Sequence, residues 1–237
     1  MLTIKNLSVK VENKKILRNI SLTFKRGKIY AIMGPNGSGK STLAHALMGN
    51  PSFSVSRDSV LRFKRKNIKK LSPDKRAHLG MFLSFQNPIA LSGVSALQLL
   101  RTSLQKGRSA LELKRNVQKH AHALKIAPDL LSRSLNDGFS GGEKKKMEIL
   151  QAAILNPSFL ILDEIDTGVD IDALKTISLF LKKFHTKDKT LVIITHYNRI
   201  LKYLQPDEVI VLKNGSVVAQ GGKDLAKKIE KDGYNAL

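Results

Sequence analysis

Cysteine is absent from this chain of 237 residues. It therefore makes no disulfide, lends no thiolate to zinc and holds no iron-sulfur cluster on its own sulfurs, which leaves its redox compartment open. Tryptophan is also missing and aromatic residues make up 5% of the chain, a poor supply of platforms for stacking nucleic-acid bases. No apolar run approaches the roughly 18 residues of a spanning helix, and the first residues alternate like a strand rather than a signal peptide, so a soluble protein is expected. Acidic residues are scarce: 19 Asp and Glu stand against 41 Lys and Arg, a net charge of +22. Such an excess raises an acidic partner, whether nucleic acid, anionic membrane or acidic protein, although its dispersal along the chain fits solvated faces equally well. The densest stretch, residues 57–76, carries nine basic residues (Arg57, Arg62, Lys64, Arg65, Lys66, Lys69, Lys70, Lys75, Arg76) against Asp58 and Asp74, and reads as the solvated edge of a β-subdomain followed by a surface helix.

What is present is organised around Gly34-Pro35-Asn36-Gly37-Ser38-Gly39-Lys40-Ser41-Thr42. This run fits G-x-x-x-x-G-K-[ST] at every fixed position, between the apolar run Ile29-Tyr30-Ala31-Ile32-Met33 and a helical pattern over 41–48, the context that a phosphate-binding loop requires. A backbone that turns its N–H groups onto phosphate oxygens needs dihedrals that glycine adopts cheaply, which assigns Gly34, Gly37 and Gly39. Lys40 supplies a point charge to the β- and γ-phosphates, Ser41 a magnesium ligand, and the following helix its positive end. ATP and Mg2+ are the expected ligands.

Along the chain, residues 2–11 and 16–24 alternate apolar with polar around a turn at Asn13-Lys14-Lys15, predicting an antiparallel hairpin. Residues 79–85 predict a buried strand delivering Gln86 at its carboxyl end, the side on which α/β sheets bind ligands. Residues 94–135 are helical in pattern, with Leu97, Leu100, Leu104, Leu111, Leu113, Val117 and Leu124 apolar and breaks at Gly107 and Pro128. Here His120 and His122 stand at i, i+2, which argues against a shared metal. Ser140-Gly141-Gly142-Glu143 precedes a helix over 144–155 and offers N–H groups and a dipole to an anion. Phe159-Leu160-Ile161-Leu162 predicts a buried parallel strand ending in Asp163 and Glu164, the first suited to magnesium, the second to polarising water. Asp166-Thr167-Gly168-Val169-Asp170 follows, then a helix over 171–183, a second buried strand ending in Thr195-His196, a hairpin around Asn214-Gly215 and a charged helix near 224–231. His196 stands apart from His45, His78, His120, His122 and His185, which read as solvated or packed.

The order and spacing of these motifs resemble an ATP-binding cassette (ABC) ATPase over the whole chain. Within that family, residues 139–146 (Phe-Ser-Gly-Gly-Glu-Lys-Lys-Lys) and 162–175, with Phe85-Gln86-Asn87-Pro88, Thr195-His196-Tyr197 and Gly233-Tyr234, resemble the SufC-type ATPase subunits of the SUF iron-sulfur cluster assembly machinery; Glu143 in place of a glutamine leans the same way. The resemblance implies an α/β fold, a P-loop mixed sheet with an antiparallel β-subdomain and an inserted helical subdomain. It implies one domain over 1–237, with 1–87 and 143–237 forming the RecA-like core plus β-subdomain and 88–142 the helical subdomain. As roles it implies catalysis by Glu164, His196 and Gln86; magnesium at Ser41, Gln86 and Asp163; nucleotide contacts from residues 34–42; and Ser140, Gly141, Gly142 and Glu143 acting in trans, with Asp170 in a loop crossing between subunits. Val11 falls where the family often stacks an aromatic on adenine, implying apolar packing there. The activity implied is hydrolysis of ATP to ADP and phosphate, with ATP-dependent homodimerisation driving SufB-like and SufD-like scaffold proteins, without membrane insertion or nucleic-acid binding. The compartment implied is the cytosol, or a plastid stroma.

Two other readings stand beside it: the nucleotide-binding subunit of an ABC transporter, and, from the charge, a nucleic-acid machine. Against the latter, only about a hundred residues separate phosphate loop and Ser140, without sustained heptads. Finally, Lys144, Lys145 or Lys146, with Lys145 favoured, is expected to pair with Glu164 in the resting monomer and keep it from water.

Overall fold

The computed structural model describes residues 1–103, 109–196 and 199–234; Leu104, Gly107 and Tyr197 lie outside the described residues. The chain opens with β1 (Leu2–Val11) and β2 (Lys14–Phe24), then β3 (Ile29–Met33), α1 (Lys40–Met48), β4 (Phe53–Val55), β5 (Val60–Phe63) and β6 (Lys66–Asn67). It continues through α2 (Pro73–His78), β7 (Met81–Ser84), β8 (Leu91–Ser95), α3 (Ala96–Ser103), α4 (Ala110–Ala123), a 3-10 turn at Pro128–Leu131 and β9 (Ser134–Leu135). Then come α5 (Gly141–Leu155), β10 (Phe159–Asp163), α6 (Ile171–Phe184), β11 (Thr190–Ile194), a 3-10 turn at Ile200–Lys202, β12 (Glu208–Lys213), β13 (Ser216–Gly221) and α7 (Lys223–Asp232).

The central sheet runs β13-β12-β3-β11-β10-β7, parallel from β12 to β7, with β13 antiparallel at the edge. Strands β3, β10 and β11 are buried along their full length, which is why they read as unbroken apolar runs. Their two-residue period still divides them. Ile29, Ala31, Met33, Leu160, Leu162, Leu191 and Ile193 face one core, with α5, α6 and the inserted helices. Tyr30, Ile32, Phe159, Ile161, Val192 and Ile194 face the other, with α1 and the antiparallel sheet β2-β1-β5-β6. Edge-to-face contacts of Phe24 with Tyr30 and Phe159 (centroids 4.9 and 5.6 Å) and of Phe63 with Phe159 (5.9 Å) knit the two sheets together.

Three differences from the sequence reading have local causes. The first turn lies at Glu12-Asn13, both at positive φ (47° and 65°), so that Lys14 already pairs with Val11; a two-residue turn with both residues left-handed matches strand twist and displaces the expected three-residue turn. The 79–85 strand is shorter, because Leu79 caps α2 and Gly80 turns at φ 96°. The segment read as helical from 94 to 135 begins and ends in the β8–β9 ladder, which involves Ser95 and Ser134, residues without helical periodicity.

The exposed reading of residues 57–76 holds for most of its cations but fails for Arg76, which is 1% exposed. Its guanidinium donates to the carbonyls of Ala46, Leu47, Leu71 and Lys69 at 2.7–3.1 Å, filling the negative end of α1.

Candidate functional site

Four adjacent parallel strands deliver the motif residues to one edge of the central sheet. In register, Ile32 lies beside Ile194, Ile194 beside Asp163, and Leu162 beside Ser84, so the loops leaving β3, β11, β10 and β7 emerge side by side. The loop after β3 has the glycine conformations expected of it: φ is 153° at Gly34, 76° at Gly37 and 101° at Gly39. At Gly34 a Cβ would lie 2.1 Å from the Leu212 carbonyl oxygen, a collision with backbone that no rotamer relieves.

Lys40, 5% exposed, donates to the carbonyls of Gly34 and Pro35 at 2.8 and 3.0 Å. Burial pushes its ammonium pKa down, while the carboxylates of Glu164 and Asp163 work against that shift. Ser41 Oγ donates to Asp163 Oδ1 at 3.3 Å. Burial raises the Asp163 pKa, the Ser41 bond opposes the rise, and the neighbouring Glu164 adds to it. The residues fit a triphosphate and a hard divalent cation on three observations. Ser38 Oγ is buried without a protein partner in the loop, the loop cradle leaves no room for a Cβ at Gly34, and Ser41 with Asp163 presents oxygen donors of the kind magnesium takes with water and phosphate completing its shell.

Glu164 adopts φ 48° and is 7% exposed. Its Oε2 accepts from Gln86 Nε2 at 2.5 Å, and its Oε1 lies 3.5 Å from His196 Nδ1. The expected Lys145–Glu164 pair is not formed. Lys145 is buried and its Nζ donates instead to the carbonyls of Phe85 and Gln86, each at 2.8 Å. The two backbone carbonyls fix the ammonium at the start of the Gln86 loop, and the residue that occupies Glu164 is Gln86. Gln86 thus reaches the cluster through Glu164, the neighbour of Asp163.

Ser140, Gly141, Gly142 and Glu143 make their contacts at the start of α5 and with the loop after β10. Ser140 N-caps α5 in a reciprocal box, accepting from Glu143 N at 3.3 Å while Ser140 N donates to Glu143 Oε2 at 2.7 Å. Hydrogen bonds from Ser140 hold the Glu143 pKa down. Gly141 packs on the loop after β10, where a Cβ would lie 2.5 Å from Gly168 O. Asp170 N-caps α6, its Oδ1 accepting from Ala173 N at 2.7 Å. Val11 pairs with Phe53 and Lys14 at the end of β1.

Sequence reasoning missed Glu148, 4% exposed on α5. Its Oε1 accepts from Phe85 N at 2.8 Å, so Lys145 and Glu148 grip the start of the Gln86 loop from one helix face. The signal was present: the two are i, i+3 on a helix whose remaining residues at that face are apolar. Asp166 was read only as part of a loop motif, yet it is fully buried and accepts from Thr195 Oγ1 at 2.8 Å, joining the loops after β10 and β11.

Known proteins resemble this chain over nearly its whole length. The profile of the family described as "ABC transporter" matches residues 17–167. "Probable ATP-dependent transporter ycf16" of Cyanophora paradoxa is 43% identical, with 100% of this chain and 94% of that protein covered. "Vegetative protein 296" of Bacillus subtilis (strain 168) is 42% identical over 99% of this chain and 92% of its own length. A crystal structure of a nucleotide-free ATP-binding cassette from an ABC transporter superposes with a TM-score of 0.80 at 28% identity, covering 98% of this chain and 95% of that one.

Proposed function

From the premise that this chain belongs to the ABC transporter family as one of its ATP-hydrolysing cassettes, we propose that it powers conformational change in a SufB/SufD-type scaffold during iron-sulfur cluster assembly. The observation that carries the hydrolytic half is the convergence of Lys40, Ser41, Asp163, Glu164, Gln86 and His196 at the carboxyl ends of β3, β10, β7 and β11. Lys40 leaves its loop carbonyls for the β- and γ-phosphates, and the loop that follows Pro35, residues 36–42, supplies N–H groups around them. Ser41 and Asp163 hold magnesium, which when bound neutralises charge on the phosphate oxygens. Glu164 accepts a hydrogen bond from the attacking water and so polarises it, with His196 alongside. In the arrangement described here Gln86 occupies Glu164 Oε2, so its amide must withdraw before water takes that position. Ser140–Glu143 would close over the nucleotide of a second copy.

The scaffold half is supported by the residue runs 139–146 and 162–175, by the lack of cysteine, which leaves cluster ligands to a partner, and by the near-complete mutual coverage with single-cassette relatives. No helix among the described residues is long and apolar enough to cross a membrane. A second reading is favoured by the name of the Cyanophora paradoxa relative, which says "transporter": the chain would then serve a membrane permease. Affinity purification of Glu164→Gln with ATP and magnesium separates the two. Recovery of a pair of scaffold proteins of the SufB and SufD kind is expected; recovery of a polytopic membrane protein in their place overturns the scaffold reading and installs the second.

A further inference from the structure

The chain's last described residues return to its first functional one. The β12–β13 hairpin leans on the phosphate loop, with Gly215 N donating to Ser38 O at 3.0 Å and the Leu212 carbonyl closing the space beside Gly34. Beyond α7, Gly233 turns the chain at φ 70° while its N–H still bonds Ile229 O. The turn drops Tyr234 back onto the main core, where its ring packs. There the Tyr234 hydroxyl accepts from Gly34 N at 3.2 Å, and Lys213 Nζ donates to the Tyr234 carbonyl at 3.0 Å.

Gly34 is thus held at both ends of its unusual backbone. Its carbonyl bonds Lys40 and its N–H bonds a side chain 200 residues away. We propose that Tyr234 is a positioning residue for the triphosphate loop, fixing the first loop amide so that the loop is already shaped for nucleotide before nucleotide arrives, with Lys213 holding Tyr234 in place. Resting on the ATPase reading above, this adds a residue that neither touches the phosphates nor belongs to the motif. The contact is on the first loop amide, just past the end of β3, and the loop serves both nucleotides, so it acts alike on ATP and ADP. Its loss weakens ground-state and transition-state binding equally, the condition under which KM rises and kcat does not change. Burial raises the Tyr234 pKa, so the phenol stays protonated through the neutral range.

The test is full-length Tyr234→Phe, which keeps the ring and removes the oxygen, compared with the parent for ATP hydrolysis, ADP binding, thermal melting and amide exchange at Gly34. The loss of one hydrogen bond predicts a rise of roughly two- to ten-fold in KM for ATP and Kd for ADP. An unchanged kcat, a melting temperature near the parent's and faster exchange at Gly34 should accompany it. Lys213→Met is the second variant and should shift both constants the same way by less, which keeps the proposal open to refutation if the first variant folds poorly. Parent-like KM and Kd in Tyr234→Phe overturn it, as does a fall in melting temperature that accounts for the whole affinity loss. A parent chain that binds neither nucleotide would instead sink the ATPase reading itself.

Discussion

Glu148 sits 4% exposed on α5, where a charged carboxylate is costly. Burial lifts its carboxyl pKa from 4.5 to about 7, opposed by the Phe85 N–H bond and by Lys145. Its second oxygen, Oε2, is buried without a partner. A carboxyl that holds its proton more tightly folded than unfolded contributes most to stability below pH 4.5, and that contribution is lost as pH rises towards 7. The full loss corresponds to up to about 3 kcal/mol. Glu148→Gln keeps an acceptor for Phe85 N and removes the titration. Urea unfolding should therefore show a flatter stability profile between pH 5 and 8 and a gain of about 2 kcal/mol at pH 8; profiles that run parallel for parent and variant would exclude this account. The native glutamate is nonetheless suited to its place, because Lys145 one turn earlier is itself pushed down by burial and drawn back up first by Glu148.

At the scale of elements, α1 shows how a helix can be held at both ends by parts of the chain distant in sequence. Its amino end faces the phosphate loop, and its carboxyl end is closed by Arg76 from α2, whose pKa burial lowers to about 10, leaving it charged at neutral pH. Gly49 admits this arrangement, since a Cβ there would lie 2.7 Å from Arg76 Nε. Arg76→Ala removes donors from four carbonyls and opens a cavity, for an expected loss of about 3 kcal/mol, read as a lower urea midpoint. Arg76→Lys should recover less than half, because one ammonium cannot span the four acceptors of a planar guanidinium. If lysine restores full stability, the charge at the helix end matters and the fork geometry does not.

For the whole molecule, the proposed function makes one chain an incomplete site, since Ser140–Glu143 would serve the nucleotide of a second copy. Gly141 packs on Gly168 and Asp170 caps α6, so the start of α5, the loop after β10 and the start of α6 are held against one another. ATP drives that closure only by the amount it binds the closed pair better than the open chain. Glu164→Gln, which binds ATP without activating water, should sediment as a dimer in ATP and magnesium and as a monomer in ADP. A variant that remains monomeric at saturating ATP would refute closure between identical chains.

The phosphate loop, the two buried strands ending in Asp163 and His196, and the Asn214-Gly215 hairpin were legible in the sequence because each rests on local chemistry: glycine where φ is positive, apolar runs where both faces are covered, turn residues where strands reverse. The Glu12-Asn13 turn and the Lys64-Arg65 turn carry no glycine yet take the same left-handed pair of conformations, imposed by the ladders that flank them. The partners of buried polar groups were equally out of reach: that Lys145 holds two carbonyls rather than Glu164, that Arg76 leaves the basic surface to cap a helix, and that Tyr234 meets Gly34. Sequence by itself determined which groups carry charge and which backbone positions need glycine. Only the tertiary structure decided which of those charges meet, because a buried donor takes whatever acceptor the packed chain brings within 3 Å, and that proximity depends on how sheets and helices pack rather than on spacing along the chain.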